Sequence, residues 1–181
     1  VSIGIVALAE IGDKTQLLTL VLAARYRKPW PIVAGIFVAT LVNHGIAGAV
    51  GAWLTRTIGP EAMRWILGVS FIAMAAWMLV PDKLGEDEAA PRKVGGVFLS
   101  TTVLFFLVEI GDKTQIATVA LAARFDSLLA VVMGTTIGMI LANAPVAFFG
   151  EALAKRLPVW IVHRVAAAIF AALGVGVLAF G

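Results

Sequence analysis

The chain has no cysteine, which excludes disulfides, thiolate metal sites and thiol catalysis. It has only two histidines, and no Ser/His or Cys/His pair marks a nucleophilic centre, so an enzyme is not expected. Charge is scarce as well, with Asp, Glu, Lys and Arg making up 14% of 181 residues. The pI is near 9.6, yet the 14 Lys and Arg are dispersed at the ends of apolar runs and form no patch. That distribution excludes a nucleic-acid partner and reads as topogenic. No Pro/Gly/Ser-rich linker or low-complexity tract divides the chain, so a single domain over residues 1–181 is expected. No polar n-region or small-residue cleavage site precedes the first apolar run, so no secretory leader is expected; a start at Val1 suggests that an initiating Met and a few residues are missing.

What the chain has is apolar mass. The apolar set reaches 61% with a mean hydropathy of +0.99, against ~45–50% in soluble domains. Six runs approach or exceed the ~20 residues that a spanning helix needs: 1–24, 30–54, 63–80, 96–123, 128–153 and 159–180. The breaks between them carry punctuation and charge, as in Arg25–Pro29, Gly59–Glu61, Pro81–Lys83, Arg124–Asp126 and Lys155–Pro158. Long runs without period-two alternation exclude a membrane β-barrel. The expected fold class is an all-α membrane protein with the lipid bilayer as its surroundings.

The chain also repeats itself. At an offset of 99, Glu10–Tyr26 matches Glu109–Phe125 at twelve of seventeen positions, and Gly35 falls on Gly134. Repeat one covers 1–80, a central loop 81–95, and repeat two 96–181. Three spans per half turn the second half upside down, predicting six transmembrane helices as two inverted three-helix repeats with a site near the midplane. One side collects nine basic residues and the other three, so both termini are expected outside and the Asp82–Lys93 loop in the cytosol.

Lys14 and Lys113 fall inside the membrane, beside the acids of a doubled Glu-Ile-Gly-Asp-Lys-Thr-Gln segment. Read as continuous helix, spacing of three puts Glu10 with Asp13, and Glu109 with Asp112, on one face, flanked by the lysines. Gly12 and Gly111 would let a second helix approach closely. Insertion costs ~2.5–3.5 kcal/mol per ionisable residue at a helix centre, or roughly 15–21 kcal/mol for six. That exceeds the ~5–15 kcal/mol holding a typical protein folded, so the six must compensate one another or bind something. Four carboxylates and two ammonium groups sum to minus two, which one divalent cation or two protons would balance. The bland alternative is a pair of structural i,i+4 Glu–Lys bridges, which leaves Asp13 and Asp112 unexplained.

Oxygen donors suit a hard ion such as Mn2+, Ca2+ or Mg2+. Glu10, Asp13, Glu109 and Asp112 are the candidate metal ligands, Lys14 and Lys113 their charge partners. Thr15, Gln16, Asn43, Thr114, Gln115 and Asn143 are candidate secondary oxygens, with interhelical hydrogen bonding an equal reading for the two Asn. His44 aligns with Asn143 and either tunes the site or packs; His163 receives no role. Gly134–Gly138 reads as a close-packing face.

With this motif present twice in six apolar runs, the sequence resembles the cation/proton exchanger family defined by twin E-x-G-D-[KR]-[ST] motifs. That family includes bacterial manganese exporters of the MneA kind and Golgi and thylakoid manganese/calcium transporters. The resemblance covers nearly the whole chain. It implies that Glu10, Asp13, Glu109 and Asp112 bind the ion, with Lys14, Thr15, Lys113 and Thr114 completing the signatures. It further implies Mn2+ export across a bacterial inner membrane in exchange for protons, with no cofactor beyond the transported Mn2+ or Ca2+. An exporter of a cationic organic solute, such as a basic amino acid, is the alternative, and homo-oligomerisation is left open.

Overall fold

The computed structural model describes residues 1–80, 95–150 and 159–180. These residues form helices and short connections. They are α1 (Ser2–Glu10), α2 (Lys14–Tyr26), α3 (Pro29–Thr57), α4 (Pro60–Met78), α5 (Val97–Glu109), α6 (Lys113–Arg124), α7 (Leu128–Phe149) and α8 (Val159–Phe180). The Asp82–Lys93 loop and the cationic Lys155–Pro158 segment lie outside the described residues.

Local chemistry sets the ends. Arg27 adopts a left-handed φ of 50° and returns its N–H to the Ala23 carbonyl, closing α2. Pro29 and Pro60 start α3 and α4, where a missing N–H costs nothing. Ser127 caps α7 by accepting from the Ala130 amide at 3.3 Å.

Four helices, α3, α4, α7 and α8, are long and apolar enough to cross a membrane. The two remaining predicted spans, 1–24 and 96–123, are not continuous helices. Each is broken at its Ile-Gly-Asp, giving α1 with α2 and α5 with α6. Composition hides this, because apolar content reports where a segment sits and not the path of its backbone.

The packing is inside out relative to a soluble protein. On α3, Val42, Ile46 and Val50 are exposed while Thr40, Asn43, His44 and Ala47 are buried. α3 packs on α5, α6 and α7, α1 packs on α7, and α4 pairs with α8. One apolar cluster around Phe71, Met74, Leu121 and Phe170 ties α4 and α8 to α6; another around Leu22, Ile36, Phe105 and Met139 ties α2 and α3 to α5 and α7.

Contact between α1 and α7 is backbone-close at the Gly134–Gly138 face. A Cβ at Gly138 would meet the Ile3 carbonyl at 2.6 Å and the Ala7 amide nitrogen at 3.0 Å, neither of which can swing away. Gly138→Val is therefore expected to lower the unfolding temperature in detergent markedly, beyond the ~1–3 kcal/mol of ordinary overpacking. Gly45→Val, where a Cβ meets nothing within 4 Å among the described residues, is expected to leave it unchanged. Equal unfolding temperatures would refute the close approach.

Candidate metal centre

The Ile-Gly-Asp breaks are the same turn built twice. Ile11 has φ −65° and ψ 117°, Gly12 φ +82°, and the Asp13 N–H returns to the Glu10 carbonyl at 3.1 Å. Ile110 has φ −62° and ψ 121°, Gly111 φ +75°, and Asp112 N–H reaches the Glu109 carbonyl at 3.1 Å. These φ values and this hydrogen bond belong to a type II turn, which requires glycine at its third position. The Gly12 amide donates to Gln16 Oε1 at 2.9 Å and the Gly111 amide to Gln115 Oε1 at 2.7 Å, so both glutamines hold their turns.

Each turn leaves a Glu at the C-terminal end of one half-helix and an Asp at the N-cap of the next. An N-cap Asp normally spends its carboxylate on the orphan amides of the first turn. Asp13 and Asp112 make no such bond. Their carboxylates face the interior at helix N-termini, where the peptide dipoles favour negative charge. The acids therefore converge because the helices break, not because they share a helical face as the spacing suggested.

Glu10, Asp13 and Asp112, all buried, offer carboxylate oxygens that lie within 4.8 Å of one another. Two oxygens opposed across Ca2+ are about 4.6–5.2 Å apart, and across an ion the size of Mg2+ about 4.0–4.2 Å, so the three can share one cation. The lysines cross between repeats. Lys14 Nζ lies 3.3 Å from Asp112 Oδ1, and Lys113 Nζ 3.6 Å from Asp13 Oδ1. Neither is the within-helix Glu–Lys bridge that the sequence offered as an alternative. Thr114 Oγ1 donates to Asp112 Oδ2 at 3.3 Å, while the fully buried Thr15 hydroxyl has no hydrogen-bond partner among the described residues.

Glu109 stands apart from that group. Its Oε1 is 2.9 Å from His44 Nε2, and its Oε2 accepts from Thr40 Oγ1 and Asn43 Nδ2, each at 3.4 Å. Asn43 Nδ2 also donates to the Phe106 carbonyl at 3.1 Å, and its Oδ1 accepts from Gln115 Nε2 at 3.5 Å. Asn143 serves structure instead. It accepts from Thr19 Oγ1 at 2.7 Å and donates to the Met139 carbonyl at 3.2 Å. Gln16 Nε2 donates to the Ala142 carbonyl at 3.0 Å.

Sequence reasoning missed Thr19, Thr40 and His163. Thr19 recurs as Thr118 in the repeat, and Thr40 lies one turn before Asn43 and His44, so both carried a signal. His163 carried none: its Nε2 donates to the Ile11 carbonyl at 2.8 Å, and Val159 packs over Gly12. Around Gly111 no described residue occupies the corresponding space. In keeping with this, α8 packs on α1 and α4 on α6, without comparable packing of either against α2 or α5.

Buried acids of two repeats brought together at paired helix breaks are the chemistry of an ion carrier, and the chain matches the family described as "Divalent cation/proton antiporter GDT1" over residues 1–86 and 97–181. The chain belongs to this family. It is a multi-pass membrane protein of a transporter family. It is 50% identical over 171 residues to the "Putative manganese exporter" of Vibrio cholerae serotype O1, covering 94% of this chain and 84% of that protein. It is 28% identical over 171 residues to "GDT1-like protein sll0615" of Synechocystis, covering 84% and 82%. "GDT1-like protein 3" of Arabidopsis thaliana is 24% identical over 194 residues, covering 93% and 66%. No solved structure matches the chain. The organic-cation reading draws no support from these relatives.

Proposed function

We propose that this antiporter expels Mn2+ from the cytosol across the bacterial inner membrane in exchange for protons, with Ca2+ as a second substrate. The observation that carries this reading is the Glu10, Asp13 and Asp112 group, in which carboxylates of both repeats meet. Glu109 lies outside that group as a fourth buried acid, and the four acids with Lys14 and Lys113 together sum to minus two, the charge that one divalent ion or two protons neutralise. Ionised acids hold metal and protonated acids do not, so the two cargoes exclude one another and their fluxes are coupled.

The path follows from six spans in one domain, α1–α2, α3, α4, α5–α6, α7 and α8, arranged as two inverted repeats with both termini outside. In that orientation α1 and α6 are outer half-helices, and α2 and α5 inner ones. Support for alternating access is the one-sided seating of the α4–α8 pair, which packs on α1 and α6 without comparable packing on α2 or α5 among the described residues. The site then communicates with the cytosolic side, and rocking the pair onto α2 and α5 would turn it outward.

Purified protein in liposomes tests the exchange. With acid on one side and Mn2+ at equal concentration on both, metal is expected to accumulate on the acidic side, and adding Mn2+ alone is expected to drive protons the other way. Metal flux indifferent to the pH gradient, without counterflow of protons, would mean a channel or uniporter and would end this reading.

A further inference from the structure

The two halves of the site are not equivalent, and the difference is written in the sequence. Glu109 is met by Thr40, Asn43 and His44, which share one face of α3 at spacings of three and four. The repeat-equivalent positions on α7 are Met139, Ala142 and Asn143. Two of these have no side-chain oxygen or nitrogen, and the third is committed to Thr19 and the Met139 carbonyl. One half of the site thus meets its glutamate with a hydroxyl, an amide and an imidazole, while the other half lacks that set.

His44 is fully buried, and its Nδ1 has no hydrogen-bond partner among the described residues. A histidine kept for packing alone is normally satisfied on both nitrogens. Here Nε2 lies 2.9 Å from Glu109 Oε1, yet neither of those atoms makes a hydrogen bond among the described residues. The 2.9 Å between His44 Nε2 and Glu109 Oε1 also has the bite of neighbouring ligands. At metal–ligand bonds of ~2.1 Å, two donors at a right angle are about 3 Å apart. The Thr40 and Asn43 contacts to Oε2, at 3.4 Å, are long for hydrogen bonds and leave that carboxylate loosely held.

We propose that Glu109, His44 and Thr40 form a second cation station, and that the His44 nitrogen makes the carrier prefer a first-row transition-metal ion such as Mn2+ over Ca2+ and Mg2+. The inference rests on the export reading above and deepens it. The Glu10, Asp13 and Asp112 group offers only oxygen, which Mn2+, Ca2+ and Mg2+ all accept. Imidazole separates them, because Ca2+ and Mg2+ are held by oxygen whereas transition metals accept nitrogen readily. A cargo ion passing from the oxygen station to the mixed one meets its selectivity filter at His44.

The test uses the full chain in two ways. In liposomes, His44→Gln keeps an amide near the Nε2 position without the imidazole, and is expected to lower the ratio of Mn2+ to Ca2+ transport at least about tenfold. A residue that only positions its neighbours would scale both fluxes together and leave the ratio alone. In parallel, pulsed electron paramagnetic resonance of Mn2+ bound to the wild-type protein is expected to show coupling to nitrogen-14, retained in His163→Gln and lost in His44→Gln. The wild-type spectrum remains decisive if His44→Gln fails to fold. An unchanged transport ratio, or bound Mn2+ with no nitrogen coupling, would overturn the role of His44. Wild-type protein that binds and moves no Mn2+ would instead overturn the export reading itself.

Discussion

Asp13→Asn and Asp112→Asn are each expected to abolish metal transport, with losses beyond the ~10–100-fold typical of removing a residue that merely supports a ligand. The amide keeps the shape of the side chain and serves equally well at a helix N-cap, so the half-helices α2 and α6 still begin where they did. What disappears is one negative charge from a group of carboxylate oxygens lying within 4.8 Å of one another. Stability is expected to separate the two variants. Asp13 faces Lys113, which is 1% exposed, whereas Asp112 faces Lys14, whose side chain is 19% exposed. Removing the aspartate opposite a buried lysine weakens the compensation of a desolvated cation, which costs about 3–5 kcal/mol when a buried pair is broken. A lysine in contact with water loses less. Asp13→Asn is thus expected to unfold at lower temperature than Asp112→Asn, and Asp13→Asn/Lys113→Gln to recover stability but not transport. Metal flux by either single variant at the wild-type rate would sink the shared-site reading.

Much of this was legible in the residues. The doubled segment and its offset identify the acids, because seven identical residues recurring inside apolar runs leave few other sources of chemistry. The apolar runs also anticipate where α3, α4, α7 and α8 lie. The helix breaks were not legible, for a physical reason. A glycine within a long apolar run reads equally well as a packing contact or as a turn, and only its φ decides between them. Gly138 is the first kind and Gly12 the second. The partners of the lysines were hidden for a related reason. Spacing along one helix suggests Glu10 for Lys14, but once the helix breaks between them, the lysine is carried to the other repeat and meets Asp112. The unlike surroundings of Glu10 and Glu109 are visible in the sequence only after the repeat alignment is carried past the motif into α3 and α7.

The turns themselves provide the other large effect. Gly12→Ala and Gly111→Ala are each expected to reduce transport severely, because a φ of +82° or +75° strains any residue with a Cβ. A left-handed conformation costs roughly 1–2 kcal/mol for a residue other than glycine. The chain can escape that strain by extending the helix through the break. Continuous helix would keep Asp13 or Asp112 on a helical face, withdraw it from the N-cap and separate it from the carboxylates of the other repeat. The two variants are expected to differ in stability while sharing the loss of function. At Gly12 a Cβ collides with the Val159 side chain, which must give way; at Gly111 nothing lies within 4 Å among the described residues. Gly111→Ala should therefore fold with only the cost of the strained turn, and Gly12→Ala should unfold at a lower temperature. Unfolding midpoints and Mn2+ flux measured on the same preparations separate the two effects. If Gly111→Ala folds and transports like the wild type, the helix break is not what assembles the site.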